Sequence, residues 1–515
     1  MEKPILSHKG LEIPVKYLKN KYGNGAPEKF RKGLLLKYRI YTGSFVYYPM
    51  YKQKAGILTI PRNRLNILIN DKDLDFEYEN KMYEGINKKV KLNYTGRLYD
   101  YQEKIVDYIK KGYFNEKRVE SGLASCLLVV PAGKGKTFIA GSLLTGKTLV
   151  VLPTTSLLYF WERDLHSMFN GLKVGNYHGK KKADGDVVLG IVNSLVKVDD
   201  SFFKQFETII LDEVHSYTSD VFKEIFFRAN AKYTLAMTAT LEKEDKTHTI
   251  IEKTYGEALR ANTIVEFKQD QFNGIVYIVK YHGPPEYTKY LVREDGEFDN
   301  ARTMNMIAED PYRNRLLVLC AVWLSKKCNF YLMSHRRELS IKLMDQFKKE
   351  METKIDLDSI DDLDFNIIDE ISLFTKSKNN KKLIELEEIE DTDKRIDIML
   401  GGTEIEKIES IMESSNAIFT TFQFSSTGIS NPKMEGLIKA TPAKKKNEQI
   451  NGRIRRCGGV DENPRITFDI VDERLKIKKR YETRRIDYNK MRYKKVEIEI
   501  NWNEVEDFID KLDSL

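Results

Sequence analysis

Val129-Val130-Pro131-Ala132-Gly133-Lys134-Gly135-Lys136-Thr137 is the stretch whose reading decides the fold. The small aliphatic run Leu127 to Val130 predicts a buried strand. Gly133 and Gly135 then let the backbone wrap closely around an anion, and Lys136-Thr137 opens a helix. The loop Pro131, Ala132, Gly133, Lys134, Gly135 would cradle the phosphates of a nucleotide. Lys136 would reach the outer phosphate oxygens, and Thr137 would ligate Mg²⁺. Val130 stands where the common form of such a loop has a small residue. A phosphate loop between strand and helix calls for a parallel sheet wound with helices on both faces, an α/β fold.

Working outward, Ile209-Ile210-Leu211-Asp212-Glu213-Val214-His215 is a second apolar strand that ends in two adjacent carboxylates. In an enzyme that cleaves ATP, Asp212 would hold Mg²⁺ and Glu213 would polarise the attacking water. The separation from Lys136 leaves room for intervening βα units, which a doubly wound sheet needs if both loops are to converge. Ala236-Met237-Thr238-Ala239-Thr240 ends a third apolar segment. Thr238, Ala239 and Thr240 read as a coupling element, because short hydroxyls can bond both the loop carrying His215 and a neighbouring domain. A fourth stretch is Gln449-Ile450-Asn451-Gly452-Arg453-Ile454-Arg455-Arg456. As a helix it places Gln449, Arg453 and Arg456 on one face. That face could present guanidiniums to a γ-phosphate, or serve solvent or nucleic-acid contact.

Taken in this order, PAGKGKT, LDEVH, TAT and QINGRIRR resemble the superfamily 2 helicases and translocases over roughly residues 90 to 490. TATLEKED, with Lys243 where an arginine is usual, is similar to the XPB-like branch. Phe424-Ser425-Ser426-Thr427-Gly428-Ile429-Ser430 resembles the penultimate motif of UvsW-type phage recombination helicases. The segment Phe468 to Asp472 with its following basic helix is similar to phage and large-DNA-virus members. The resemblance implies two RecA-like, doubly wound parallel-sheet motor domains in tandem, ATP and Mg²⁺ as cofactors, and Lys136, Asp212, Glu213, Gln449, Arg453 and Arg456 as the catalytic set.

Other positions follow from the same resemblance. Leu98-Tyr99-Asp100-Tyr101-Gln102 is similar to the segment that reads adenine, so Gln102 would bond the base, and Gly428 would lie against the nucleotide. Tyr99 stands where the branch often has arginine. Thr154, Ser194, Thr420 and Thr421 match positions that touch the DNA backbone, contacts that carry no sequence information. The implied work is ATP-dependent DNA unwinding or duplex translocation on single-stranded, duplex or branched DNA, with an RNA helicase or an inactive ATP-gated clamp as alternatives.

Composition fits a motor with several cores. At 515 residues about three domains are expected. We divide the chain into a β-rich α+β domain over 1–90, motor domains over 91–262 and 263–475, and a basic helical tail over 476–515. Residues 1–60 carry 12 Lys/Arg against 3 Glu, interleaved with aromatics such as Tyr38, Tyr47 and Tyr48, which suits nucleic-acid contact. Residues 354–396 reverse the sign, with 13 Asp/Glu against 7 Lys/Arg, and read as an acidic insertion. Arg474 to Lys495 has 11 Lys/Arg against 2 acids. The four cysteines make no CxxC pair, so reduced thiols and no structural metal are expected. No window approaches the ~20 apolar residues of a membrane span, so a soluble, cytoplasmic protein is expected; the resemblance implies a monomer acting on DNA.

Overall fold

The structure, a computed structural model, describes residues 2–515 except 40–44, 72–73, 88, 132, 220, 243–245, 268–273, 361–393, 426–430, 432, 444–446 and 455–463. The chain divides into two compact units, Met1–Asp270 and Gln271–Leu515. Among the described residues no helix is long and apolar enough to cross a membrane.

The first unit begins with short strands β1 (Ile5–Ser7), β2 (Gly10–Pro14), β3 (Leu35–Arg39), β4 (Phe45–Pro49), β5 (Lys52–Lys54), β6 (Ile57–Ile60) and β7 (Glu79–Asn80). Five of them make a sheet in the order β5-β6-β2-β1-β7, and β3 pairs with β4 as a separate ribbon. The motor strands follow: β8 (Ser125–Val129), β9 (Thr148–Leu152), β10 (Val174–His178), β11 (Lys181–Lys182), β12 (Val187–Ile191), β13 (Thr208–Leu211), β14 (Tyr233–Thr238) and β15 (Ala258–Arg260). They form one sheet in the order β11-β10-β12-β9-β13-β14-β8-β15, parallel throughout except for the β10–β11 hairpin. The central strands are apolar at nearly every position because both faces are covered. Successive residues feed opposite cores: Leu127 and Val129 join one, while Cys126, Leu128 and Val130 join the other.

The 1–90 segment is not a free-standing domain. Leu6, Leu11, Ile13, Leu58 and Ile60 share one continuous core with Leu149, Val151, Ile209 and Leu211 of the motor sheet. Arg62 fastens this junction from within. It is 1% exposed and donates to Ala231 O at 2.8 Å, Thr234 Oγ1 at 3.1 Å, Lys232 O at 3.2 Å and Gly122 O. A buried guanidinium is tolerated only when its donors are met in this way.

The second unit holds β16 (Gly274–His282), β17 (Phe330–Ser334), β18 (Ile396–Met399), β19 (Ala417–Thr421), β20 (Gly436–Lys439), β21 (Arg465–Asp472) and β22 (Lys494–Asn501). These make an all-parallel sheet in the order β18-β19-β17-β20-β21-β16-β22. Both units are therefore doubly wound α/β bodies. The 476–515 segment differs from the expected helical tail. Helix Lys479–Lys490 lies over β16 and β21 through Tyr481 and Tyr488, β22 then adds an edge strand beside β16, and Phe508 and Leu512 enter the main core. The acidic stretch falls mostly on 361–393, outside the described residues.

Candidate nucleotide and nucleic-acid site

Sheet order brings the decisive loops of the first unit together. β13, β14 and β8 are neighbours, with Leu211 beside Ala236 and Thr238 beside Val129. Their carboxyl ends therefore open side by side, where open α/β sheets bind ligands. Val130 is fully buried, and its N–H donates to Thr238 O at 3.1 Å, which locks the start of the phosphate loop to the third motif. Gly133 and Gly135 adopt φ of +78° and +68°, a region that favours glycine. A Cβ at Gly135 would stand 2.3 Å from Gln102 Nε2. Pro131 and Gly133 are exposed, while Lys134, Lys136 and Thr137 are half-buried; Ala132 lies outside the described residues.

Lys136 opens helix Lys136–Gly141 and reaches Glu213 Oε1 at 2.7 Å. Glu213 has φ +48°, ψ +46°, a left-handed conformation that costs a non-glycine residue free energy and turns its carboxylate back toward the loop. Asp212 is 5% exposed and its two oxygens have separate partners. Oδ1 accepts from Glu213 N–H at 2.9 Å, and Oδ2 accepts from the Trp161 indole at 2.9 Å. Tyr217 donates to the Asp212 and Val151 carbonyls, at 2.6 and 3.0 Å, and fixes the turn behind the pair. His215 Nδ1 lies 2.8 Å from Thr238 Oγ1 and 3.3 Å from Glu213 Oε2. Thr240 N–H donates to Thr238 Oγ1 at 3.2 Å. Ala239 and Thr240 are half-buried beside this link.

Burial and charge separate the two carboxylates. Burial, opposed by Lys136 and reinforced by the neighbouring Glu213, raises the Asp212 pKa above its ordinary carboxylate value. For Glu213 burial acts upward too, but Lys136 and His215 outweigh it and hold the group well below the usual value. Glu213 therefore stays ionised across the neutral range. The donor set suits a magnesium nucleotide: a glycine-lined turn, one ammonium, two carboxylates, and a buried His215 Nε2 without a hydrogen-bond partner among the described residues. By the motif resemblance, Thr137 and Asp212 are the residues that would hold the ion.

Other expected site residues lie differently. Gln102 is 2% exposed, and its amide is already engaged: Oε1 accepts from Tyr99 N–H at 2.9 Å and Nε2 donates to Lys134 O at 3.3 Å. Tyr99 is 53% exposed and stacks on Tyr101 at 5.7 Å, so an aromatic platform stands where arginine is usual. Thr154 Oγ1 lies 3.0 Å from Ser156 Oγ beyond β9, and Ser194 Oγ accepts from Gly179 N–H at 3.2 Å. Thr420 is fully buried, and its hydroxyl donates to Met399 O at 2.6 Å. The Thr421 hydroxyl accepts from Phe424 N–H at 3.3 Å and caps the turn after β19. Gln449 belongs to helix Asn447–Asn451, its side chain outside the described residues. That helix ends at Asn451. It gives way to tighter turns, with Arg453 N–H on Ile450 O at 3.2 Å and Ile454 N–H on Asn451 O at 3.2 Å. Asn451-Gly452 weakens the helix there, glycine costing about 1 kcal/mol relative to alanine. Gly428, Lys243 and Arg456 lie outside the described residues.

Trp161 and Tyr217 were not legible as site residues. The available signal was chemical: an indole N–H on the buried side of helix Ser156–Met168 must find an acceptor. Replacing Trp161 by phenylalanine removes a hydrogen bond to a charged group, which contributes about 1.5–3 kcal/mol. Urea unfolding of the first unit is expected to show a loss of that size.

Comparison with known proteins agrees with this construction. The family described as type III restriction enzyme, res subunit, matches residues 95–243. A protein of African swine fever virus (isolate Tick/Malawi/Lil 20-1/1983), named provisionally as an ATP-dependent RNA helicase, is 28% identical over 386 residues, 73% of this chain and 69% of its own. The DNA 3'-5' translocase XPB2 of Sulfurisphaera tokodaii is 26% identical over 210 residues, 40% of this chain and 43% of its own. A protein of Escherichia phage T5, named provisionally as a helicase, is 27% identical over 136 residues, 26% of this chain and 30% of its own. With its two doubly wound sheets and its ordered motifs, the chain is similar to superfamily 2 helicases of viral and phage type.

Proposed function

We propose that this helicase couples ATP hydrolysis to movement along DNA and remodels branched duplexes in replication, recombination or repair. The observation that carries the reading is the Lys136–Glu213–Asp212 constellation, its two carboxylates buried, at the carboxyl ends of β8 and β13. Lys136 would bind the outer phosphate oxygens of ATP and exchange its carboxylate partner for them. Glu213, ionised and freed, would take the proton of the attacking water. Thr137 and Asp212 would hold Mg²⁺, which when bound neutralises phosphate charge. Trp161 keeps Asp212 oriented, and the Thr238–His215 link ties the base to the third motif. By the motif resemblance Arg453 and Arg456 would act on the γ-phosphate, whose loss would loosen the grip on the strand and let the protein advance. The protein would work as an intracellular monomer on its track.

The TATLEKED and STGIS forms and the XPB2 relative favour DNA. RNA is the second reading, supported by the name of the swine fever virus relative. ATP turnover of the pure protein, measured without nucleic acid and with single-stranded DNA, duplex DNA, a four-way junction and RNA, decides between them. Strong stimulation by duplex or junction DNA is expected, and stimulation by RNA alone would transfer the motor to RNA. Arg456→Ala is expected to spare ATP binding and cut stimulated turnover by about 10³–10⁵-fold, as for other arginine fingers. Intact turnover in that variant would remove Arg456 from the site.

A further inference from the structure

The large sheet of the first unit carries a basic hairpin at its edge that none of the motifs includes. β10 ends at His178, and β11 returns as Lys181–Lys182, with Tyr177 opposite Lys182 and His178 opposite Lys181. Gly179 turns the chain at φ +51°. β10 runs parallel to β12 with Tyr177 beside Gly190, so the tip stands at the carboxyl ends of the strands. Lys136, Glu213 and Thr154 follow the carboxyl ends of other strands of the same sheet.

The hairpin is held, not loose. Gly179 N–H donates to Ser194 Oγ at 3.2 Å from the helical turn that follows β12. Accepting that bond leaves the Ser194 hydroxyl hydrogen available for a second partner. The Lys182 ammonium sits 3.8 Å from the Tyr177 ring centroid, a cation–π contact that stiffens the returning strand. Lys180, Lys181 and Lys182 are all exposed, and none makes an ion pair among the described residues. Nearby acids are committed elsewhere: Asp184 pairs with Lys147 at 2.6 Å, and Glu162 accepts from Asn176 at 3.2 Å. Three like charges on a fixed turn repel one another, so the arrangement gains free energy when a polyanion lies across it.

We propose that the Gly179–Lys182 hairpin is a docking finger for a nucleic-acid phosphate backbone, with Ser194 as its latch. This rests on the reading of the chain as a nucleic-acid motor, and it extends the track to the outer edge of the sheet. Ser194 then acts by positioning the finger and by donating its remaining hydrogen to the same backbone.

The test is the salt dependence of binding to a fluorescent duplex DNA and a duplex RNA, for wild type, K180Q/K181Q/K182Q, and the charge-matched control K104Q/K110Q/K111Q on exposed positions of helix Asp100–Gly112. Each phosphate contact contributes about 0.9 to the slope of log affinity against log salt on duplex DNA. The hairpin variant is expected to lose about two to three from that slope, and the control to keep the wild-type slope. Equal slopes in wild type and hairpin variant would overturn the proposal, as would an equal fall in the control. Wild type that binds neither polymer would overturn the motor reading itself, a separate outcome from either of these.

Discussion

Glu213→Gln is expected to lower ATP turnover by about 10²–10⁴-fold while ATP binding persists, the range a positioned general base contributes. The substitution keeps the shape of the side chain and one acceptor for Lys136, now 2.7 Å away, but removes the charge that takes up a proton. The left-handed backbone at residue 213 tolerates glutamine no worse than glutamate. Single-turnover hydrolysis alongside equilibrium nucleotide binding separates the two effects. Weak binding with intact turnover would show that Glu213 anchors the nucleotide and that another group is the base.

Lys136→Ala is expected to abolish detectable hydrolysis and to destabilise the first unit. Removing one preorganised donor from a developing charge costs about 10²–10³-fold in kcat. The stability effect has its own sign. Lys136 holds Glu213 below the ordinary carboxylate range. The stability this contributes is present above the unfolded value of about 4.3 and is lost as pH falls through the lower folded value. Without Lys136 two buried carboxylates face each other, and breaking such a pair costs about 3–5 kcal/mol. Urea unfolding should therefore show the largest deficit near neutral pH and a shrinking one below about pH 4, with part of it relieved as Glu213 takes up a proton. A deficit independent of pH would mean that the ion pair contributes little and that the loss is one of packing.

What the sequence made legible follows from how locally each feature is encoded. β8, β9, β12 and β13 could be read because strands covered on both faces are apolar runs, and the phosphate loop and the Asp212-Glu213 pair sit at the ends of two of them. Trp161 could not, because its partner lies 51 residues away and only the three-dimensional fold brings them within 2.9 Å. Residues 1–90 looked independent because their charge and aromatic pattern differ from the rest. Arg62 and the shared core reverse that impression through contacts some 170 residues apart in sequence, as between Arg62 and Lys232. β22 was hidden inside a basic stretch, although Val496, Ile498 and Ile500 alternate as a strand should. The spacing of Gln449, Arg453 and Arg456 suggested one helical face, while Asn451-Gly452 carried the opposing local preference that ends the helix at Asn451.

Displacement of a third strand from a DNA triplex tests most directly whether this protein moves along duplex DNA. With ATP the pure protein is expected to release the strand, and with a non-hydrolysable analogue, or with Glu213→Gln, to leave it in place. A protein that hydrolyses ATP on DNA yet never displaces the strand, or that unwinds RNA duplexes while leaving the triplex untouched, would contradict the assignment as a DNA translocase.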